Sequence, residues 1–129
     1  MGQIKIYGVK DWLTPIRETL SHIIHLCMVE ALELPDDKKF HRFFPMERDN
    51  FYFASGRTEA YTIIEISMFE GRTVEAKKQL INLLFDRLNK ELNLSPQDVE
   101  ITIFETPQHN WGIRGLPGDE LSLNYKVNV

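Results

Sequence analysis

An internal repeat of about sixty residues is the feature that most limits what this chain can fold into. Ile4 and Ile6 lie in a stretch that alternates polar and apolar residues, and Ile64 and Ile66 occupy the matching places in a second such stretch. Each stretch is followed by a long helical pattern and then by another strand pattern, in the same order and with similar lengths. The sequence therefore predicts two similar strand-helix-strand units in tandem.

The length, charge and cysteine content of the chain narrow its class. With 129 residues and 43% hydrophobic residues, it is long enough for one core and too short for two ordinary domains. We predict one domain at 1–129, with repeats at about 1–50 and 60–106 and a tail at 107–129. The net charge of -4 gives no electrostatic reason to expect nucleic acid, and no apolar run approaches the length of a membrane span. The single cysteine and the absence of an apolar leader favour the cytoplasm.

Two helices are predicted between the strands. Apolar residues at three- and four-residue spacing over 16–31 indicate the first helix. We expect it to begin at Thr14 and Pro15, because threonine can cap a helix and proline suits its first position. The second helix is expected after the Gly-Arg-Thr turn at 71–73.

The order of the predicted elements indicates an α/β (α+β) fold. A strand, a helix and a returning strand place the two strands parallel, so two such units give a four-stranded mixed sheet with both helices on one face. The opposite face carries Ile63, Phe69 and several aromatic residues without cover, which predicts an oligomer. The tail is rich in glycine, proline and polar residues, and we expect a loop or hairpin there, followed by an edge strand over 121–129 that lies on a neighbouring subunit.

Three short runs occupy fixed places relative to these units. They are Gly-Arg-Thr at 56–58 and again at 71–73, and Trp-Gly-x-Arg-Gly at 111–115. Together with the repeat, these runs resemble the fused-repeat members of the tautomerase superfamily, such as the malonate semialdehyde decarboxylase family and its uncharacterised bacterial relatives. The resemblance covers nearly the whole chain. It implies a homotrimer without cofactor, with sites between subunits that bind a small keto or enol carboxylic acid.

The same resemblance implies a catalytic amine from a proline at the amino terminus, acting as a general base or acid. Gly2 stands before the first strand instead. Removal of Met1 would expose a primary amine, which has an ordinary pKa of about 7.7 to 8 and is less well oriented than proline. The resemblance also places a water-activating acid near Asp37. The alternative is that Asp37, like Asp98 in the second half, only begins a strand.

Five residues are candidates for binding the substrate. Arg72 ranks first, because a guanidinium beside the amino-terminal amides of a helix suits a carboxylate, although a solvated turn arginine is the alternative. Arg57 could reach a neighbouring subunit's site or fix its own loop. His109 and Trp111 could line the site from the tail, or Trp111 could pack in a subunit interface. Arg114 could add positive charge at the mouth of the pocket, or pair with the acidic residues that follow it.

No metal site is predicted, because His22 and His25 share a helix face without a third ligand. Neither a phosphate-binding glycine loop nor a serine-histidine-acid set is present in the sequence. Two functions stay open. One is a tautomerase-like protein whose isomerase or lyase activity is weak or absent without the proline. The other is a non-catalytic trimer that binds a ligand or another protein.

Overall fold

The computed structural model describes residues 2–129. Its main sheet has the strand order β2-β1-β3-β4, with β1 parallel to β2, β3 parallel to β4 and β1 antiparallel to β3. The predicted mixed sheet and the two strand-helix-strand units are thereby confirmed. The elements, in chain order, are β1 (Gly2–Val9), α1 (Lys10–Leu32), β2 (His41–Met46), β3 (Thr62–Phe69), α2 (Val74–Leu92) and β4 (Val99–Thr106).

The two repeats meet at an approximate twofold axis in the middle of the sheet. Lys5 of β1 lies opposite its own repeat mate, Glu65 of β3. On one side of this pair, Ile4 lies opposite Ile66. The pairing register therefore exchanges the two halves, and each end of the sheet has a counterpart at the other end.

The two ends of the sheet take their names here from the ends of β1. The Gly2 end also contains the start of β2 and the last residues of β3 and β4, because β1 is parallel to β2 and antiparallel to β3. The Val9 end contains the last residues of β2 and the first residues of β3 and β4. Side chains that follow β3 and β4 in the sequence therefore gather with Gly2.

Both helices pack on one face of the sheet, as predicted. Their buried apolar side chains form one cluster with the four isoleucines at positions 4, 6, 64 and 66. Each helix ends at a residue in the left-handed conformation, Glu33 and Asn93, both with φ of 54°. Neither helix, among residues 2–129, has the length and hydropathy needed to cross a membrane.

The first helix begins earlier than its sequence signals indicate. The predicted start at Thr14 and Pro15 is wrong, since α1 begins at Lys10 and holds Pro15 in its interior. Leu13 is fully buried, and its side chain packs so closely on Gly8 that an added Cβ there would come within 3.2 Å of it. We attribute the extra turn to this tertiary contact, which outweighs the local preference of proline for a first position.

The repeat continues past the point where the sequence pattern fades. A short 3-10 turn follows β2 at Arg48–Asn50, and another follows β4 at Gln108–Asn110. Phe51 and Trp111 come directly after these turns, and both pack on the main body of the fold. The two units therefore remain equivalent for about five residues beyond Thr106.

The tail forms the predicted hairpin but not a further strand. The hairpin consists of β5 (Gly112–Ile113) and β6 (Leu116–Pro117). The expected edge strand over 121–129 is absent from the described structure, where this segment folds back on its own chain. Val127 is 8% exposed and packs in a small cluster with Phe69 and Trp111, beside the partly buried Leu123 and Tyr125. Phe69, which the sequence analysis expects on an uncovered face, is fully buried by the tail. Burial of these apolar side chains directs the segment toward the end of β3.

Candidate functional site

Three of the candidate residues come together at the Gly2 end of the sheet. Gly2 pairs with Met68 near the end of β3, and Arg72 follows that strand by three residues. Trp111 follows β4, which pairs with β3 as far as Phe69 and Thr106. The predicted amine, the predicted carboxylate ligand and one tail residue therefore belong to the same end of the molecule.

The turn between β3 and α2 requires glycine at position 71. Gly71 has φ of 131°, which side-chain-bearing residues rarely adopt, and an added Cβ would come within 2.7 Å of the Val127 side chain. Thr73 then caps α2, because its hydroxyl oxygen accepts the N–H of Ala76 at 3.1 Å. Arg72 is held between these two fixed residues.

The Arg72 guanidinium is buried and only partly bonded. Arg72 is 5% exposed, and its Nη1 donates to the carbonyl oxygen of Phe69 at 3.3 Å. Nε and Nη2 are buried without a hydrogen-bond partner. Burial lowers the pKa of Arg72, and the negative charge of Glu105 opposes that shift. An arginine stays protonated at neutral pH, so two donors of a positive group face no acceptor.

An ion pair that the sequence analysis missed lies beside this arginine. Lys77 Nζ in α2 contacts Glu105 Oε1 in β4 at 2.7 Å, and the two side chains are 26% and 22% exposed. Glu105 stands at the end of an alternating strand, and helix spacing alone does not reveal that Lys77 reaches it. Because the pair is internally neutral, Arg72 remains the unbalanced charge of the group.

Trp111 closes the group on the β4 side. Its ring meets that of Phe69 edge-on, with centroids 5.2 Å apart, and its Nε1 donates to Thr106 Oγ1 at 2.6 Å. His109 and Trp111 both line an open cavity of about 440 Å³ beside the hairpin. His109 is exposed, and Arg114 is an exposed residue at the hairpin turn with φ of 50°. The structure shows no ion pair between Arg114 and the acidic residues after it.

Arg57 lies in the loop before β3, at the Val9 end, so it is not with Arg72 in the protomer. Its Nη2 donates to Glu100 Oε1 at 3.1 Å, and its guanidinium carbon lies 5.8 Å from the centre of the Tyr61 ring. These contacts are those of a residue that fixes its own loop. They leave open whether Arg57 meets a ligand of another subunit.

Asp37 and Asp98, which the sequence analysis compares, have different environments. Asp98 is 4% exposed and accepts two hydrogen bonds from Thr58, from the N–H and from the hydroxyl, both at 2.7 Å. Asp37 is exposed in the turn before β2. It belongs to the Gly2 end, although β1 separates it from β3.

Histidines near the start of β2 make internal contacts. His41 Nδ1 and Ser21 Oγ are 2.7 Å apart, and His25 Nε2 lies 2.7 Å from the carbonyl oxygen of Asp36. Burial, with smaller contributions from Lys39 and His25, lowers the pKa of His41 to about 4. Within residues 2–129, no three His, Cys, Asp or Glu side chains are grouped to hold a metal ion.

The fold and the grouping at the Gly2 end agree with one protein family. The profile of the family described as "Tautomerase enzyme" matches residues 38–114, which is more than half of the chain. The chain therefore belongs to the tautomerase family, as the sequence resemblance indicates.

A relative and two solved structures extend this result. The probable tautomerase YusQ of Bacillus subtilis (strain 168) is 29% identical over 99 residues, which cover 73% of this chain and 78% of that protein. Malonate semialdehyde decarboxylase has a similar structure, with a TM-score of 0.80, 19% identity and coverage of 92% of this chain and 99% of that one. An asymmetric trimer of R7 fused 4-OT gives a TM-score of 0.78 at 19% identity, covering 91% and 96%. At such identities the two structures establish the shared fold.

Proposed function

We propose that this protein is a homotrimer that binds a small keto or enol carboxylic acid at Arg72, between subunits, and transfers protons weakly or not at all. The observation that carries the proposal is the buried guanidinium with two unpartnered donors. Membership of the tautomerase family supplies the class of ligand.

Arg72 suits a carboxylate for reasons of geometry and charge. Two donors of one guanidinium can make parallel hydrogen bonds to the two oxygens of a carboxylate. The start of α2 adds partial positive charge next to Arg72. Because Lys77 and Glu105 neutralise each other, the site carries one unbalanced positive charge, which favours a monoanion. Binding would also provide acceptors for the two unpartnered nitrogens.

Proton transfer is expected to be weak because of the residue that stands at the start of β1. Family resemblance assigns the base to a proline, and this chain has Gly2 there. Gly2 could supply a primary amine only after removal of Met1, and glycine fixes its backbone less firmly than proline does. The proposed reaction class is keto-enol isomerisation, or decarboxylation of a keto acid, with a poorly oriented base.

The face of the sheet opposite the helices, which the chain itself covers only at its two ends, supports a ring of identical subunits. Its β1 and β2 half carries Lys5 and Arg42, whereas its β3 and β4 half carries Glu65 together with Glu100, which is paired with Arg57 of its own chain. Opposite charges on the two halves suit contact between unlike surfaces of neighbouring copies, which closes a ring when the rotation allows. The trimeric fused 4-OT shares this fold.

Calorimetric titration with phenylpyruvate tests the binding site. Arg72→Ala is expected to weaken binding by about 1.5 to 3 kcal/mol, because it removes a charge-assisted contact. Arg17→Ala, on the exposed side of α1, is the matched control and should bind like the native protein. Equal affinities of the Arg72→Ala variant and the native protein would remove Arg72 from the site.

Light scattering after size exclusion, at micromolar protein, tests the assembly. A mass three times that of the chain is expected. A monomer at that concentration would contradict a site built between subunits, whatever the titration shows.

A further inference from the structure

The end of the chain lies against both neighbours of Arg72. An added Cβ at Gly71 would come within 2.7 Å of the Val127 side chain and 2.8 Å of the Asn128 side chain, and the N–H of Thr73 donates to the main-chain oxygen of Val129 at 3.0 Å. Arg72, between them, is 5% exposed. The segment 125–129 therefore helps to close the end of the sheet where the guanidinium lies.

This closed arrangement leaves polar atoms unsatisfied. In the described part of the chain, the buried side-chain nitrogens and oxygens without a partner are Nε and Nη2 of Arg72 and the hydroxyl of Tyr125. These atoms belong either to Tyr125, in the segment 125–129, or to Arg72, which that segment helps to cover. Buried polar groups are normally bonded, so closure has a cost that opening, or an added acceptor, would remove.

A few contacts hold the segment in place. Val127 is buried against Phe69, and the partly buried Tyr125 packs against the same cluster and against the main core, while Lys126 and Asn128 are exposed. One main-chain hydrogen bond joins Val129 to the start of α2. That bond uses an N–H beside Arg72, where a bound anion would find its donors.

We propose that residues 125–129 form a strap that blocks the Arg72 site and is displaced when an anion binds. This inference rests on the proposed function for the identity of the ligand, but not for the closure itself. The strap uses the Thr73 N–H and covers Arg72 when the site is empty. An incoming carboxylate satisfies Nε and Nη2 and releases the segment, so ligand and strap compete for one site.

Modification by phenylglyoxal, a neutral reagent for arginine, measures whether Arg72 is covered. The rate at Arg72 is followed by digestion and mass spectrometry, with exposed Arg17 of the same chain as internal reference. In the native trimer, Arg72 should react at least tenfold more slowly than Arg17. Val127→Asp places a charge in the buried contact, and it should raise the Arg72 rate about tenfold. Asn124→Asp adds the same charge at an exposed position of the tail and should leave the rate unchanged.

Two results would overturn the strap. One is native Arg72 reacting as fast as Arg17, and the other is equal Arg72 rates in the native and Val127→Asp proteins when both are folded by circular dichroism. If Val127→Asp does not fold, Val127→Ala replaces it, with an expected increase of about threefold, and an unchanged rate there also overturns the strap. Phenylpyruvate added to the opened variant separates the two proposals. Protection of Arg72 supports both, whereas exposure without protection supports the strap and contradicts the proposed ligand.

Discussion

The two ends of the sheet are built from copies of one unit, yet their arginines differ in burial and in hydrogen-bond partners. At the Val9 end, Arg48 donates to Glu59 at 3.0 Å and to the carbonyl oxygen of Phe51 at 2.7 Å, and Arg57 donates to Glu100. At the Gly2 end, Arg72 is more deeply buried and donates to a single carbonyl oxygen. An arginine with a carboxylate partner holds its loop, whereas a buried arginine without one is suited to a ligand.

This difference originates in the connection between strand and helix, which contains an extra loop in the second copy. Trp12 is the repeat mate of Arg72, and it lies in the first turn of α1, where the chain passes directly from strand to helix. In the second copy, Gly71 opens a loop that delays the helix until Val74. The loop places a guanidinium where the first copy has an indole. The same unit therefore yields a structural end and a candidate binding end.

The largest expected change in activity should come from placing a proline amine at the start of β1. Deletion of Met1 combined with Gly2→Pro is expected to raise the rate of ketonisation of phenylenolpyruvate about a hundredfold, because an oriented general base contributes about 10² to 10⁴. An added Cβ at Gly2 would come within 3.0 Å of the flexible end of Met28, which can move aside, and would make an ordinary contact with the Ser67 main-chain oxygen at 3.9 Å.

A spectrophotometric assay with mass spectrometry of each amino terminus measures this effect. Deletion of Met1 combined with Gly2→Ala is the control, since it keeps a primary amine. A native protein as fast as the proline variant would show that its site is unimpaired. No activity in any variant, with phenylpyruvate still bound, would favour the non-catalytic trimer.

The two loop glycines provide the next comparison between the ends. Gly71→Ala should lower the free energy of unfolding by about 2 to 3 kcal/mol, because strain at φ of 131° adds to the contact with Val127. Gly56→Ala, at φ of 90° with open space around it, should cost only about 1 kcal/mol. Denaturant unfolding measures both. Equal losses would mean that the segment 125–129 does not pack on the turn.

Features that depend on residues close together in the sequence could be predicted, whereas features that depend on contacts between distant residues could not. The strands, the second helix and the mixed sheet were predictable, because alternation, helical spacing and the cap at Thr73 are local patterns. The true start of α1 was not, because it depends on Leu13 packing against Gly8. Arg72 could be chosen from its place in the turn. Its burial could not, because the residues at Val127 and beyond reach the turn only in the folded chain.

The aspartates give a smaller effect that separates a structural from a catalytic acid. Asp98→Ala should lower the free energy of unfolding by about 2 kcal/mol, because two hydrogen bonds to Thr58 are lost. Asp37→Ala is the matched change at an exposed position and should leave stability unchanged. If Asp37→Ala instead lowers turnover by the proline variant, Asp37 has the catalytic role that family resemblance implies.

The smallest effect concerns pH and the start of β2. The folded state holds the pKa of His41 at about 4, below its ordinary 6.5, so the unfolded state binds more protons between these values. The free energy of unfolding should therefore keep its full value above pH 6.5. It should fall as the pH decreases toward 4, by about 1 to 2 kcal/mol, because the His41 side chain is partly exposed.

His41→Gln should flatten this part of the stability curve, measured by denaturant unfolding at several pH values. His22→Gln, at an exposed position of α1, should keep the native slope. An unchanged slope in the His41→Gln variant would assign the acid sensitivity to another group.

The position of Lys5 opposite Glu65 has a consequence for how the two halves stay together. In a pair of identical chains, a residue on the twofold axis meets its own copy, and a charge there would repel itself. Joining both units in one polypeptide removes that restriction, because the two central positions can differ. This chain has a cation and an anion at the two central positions, a combination that identical partners could not have and that favours pairing of unlike halves.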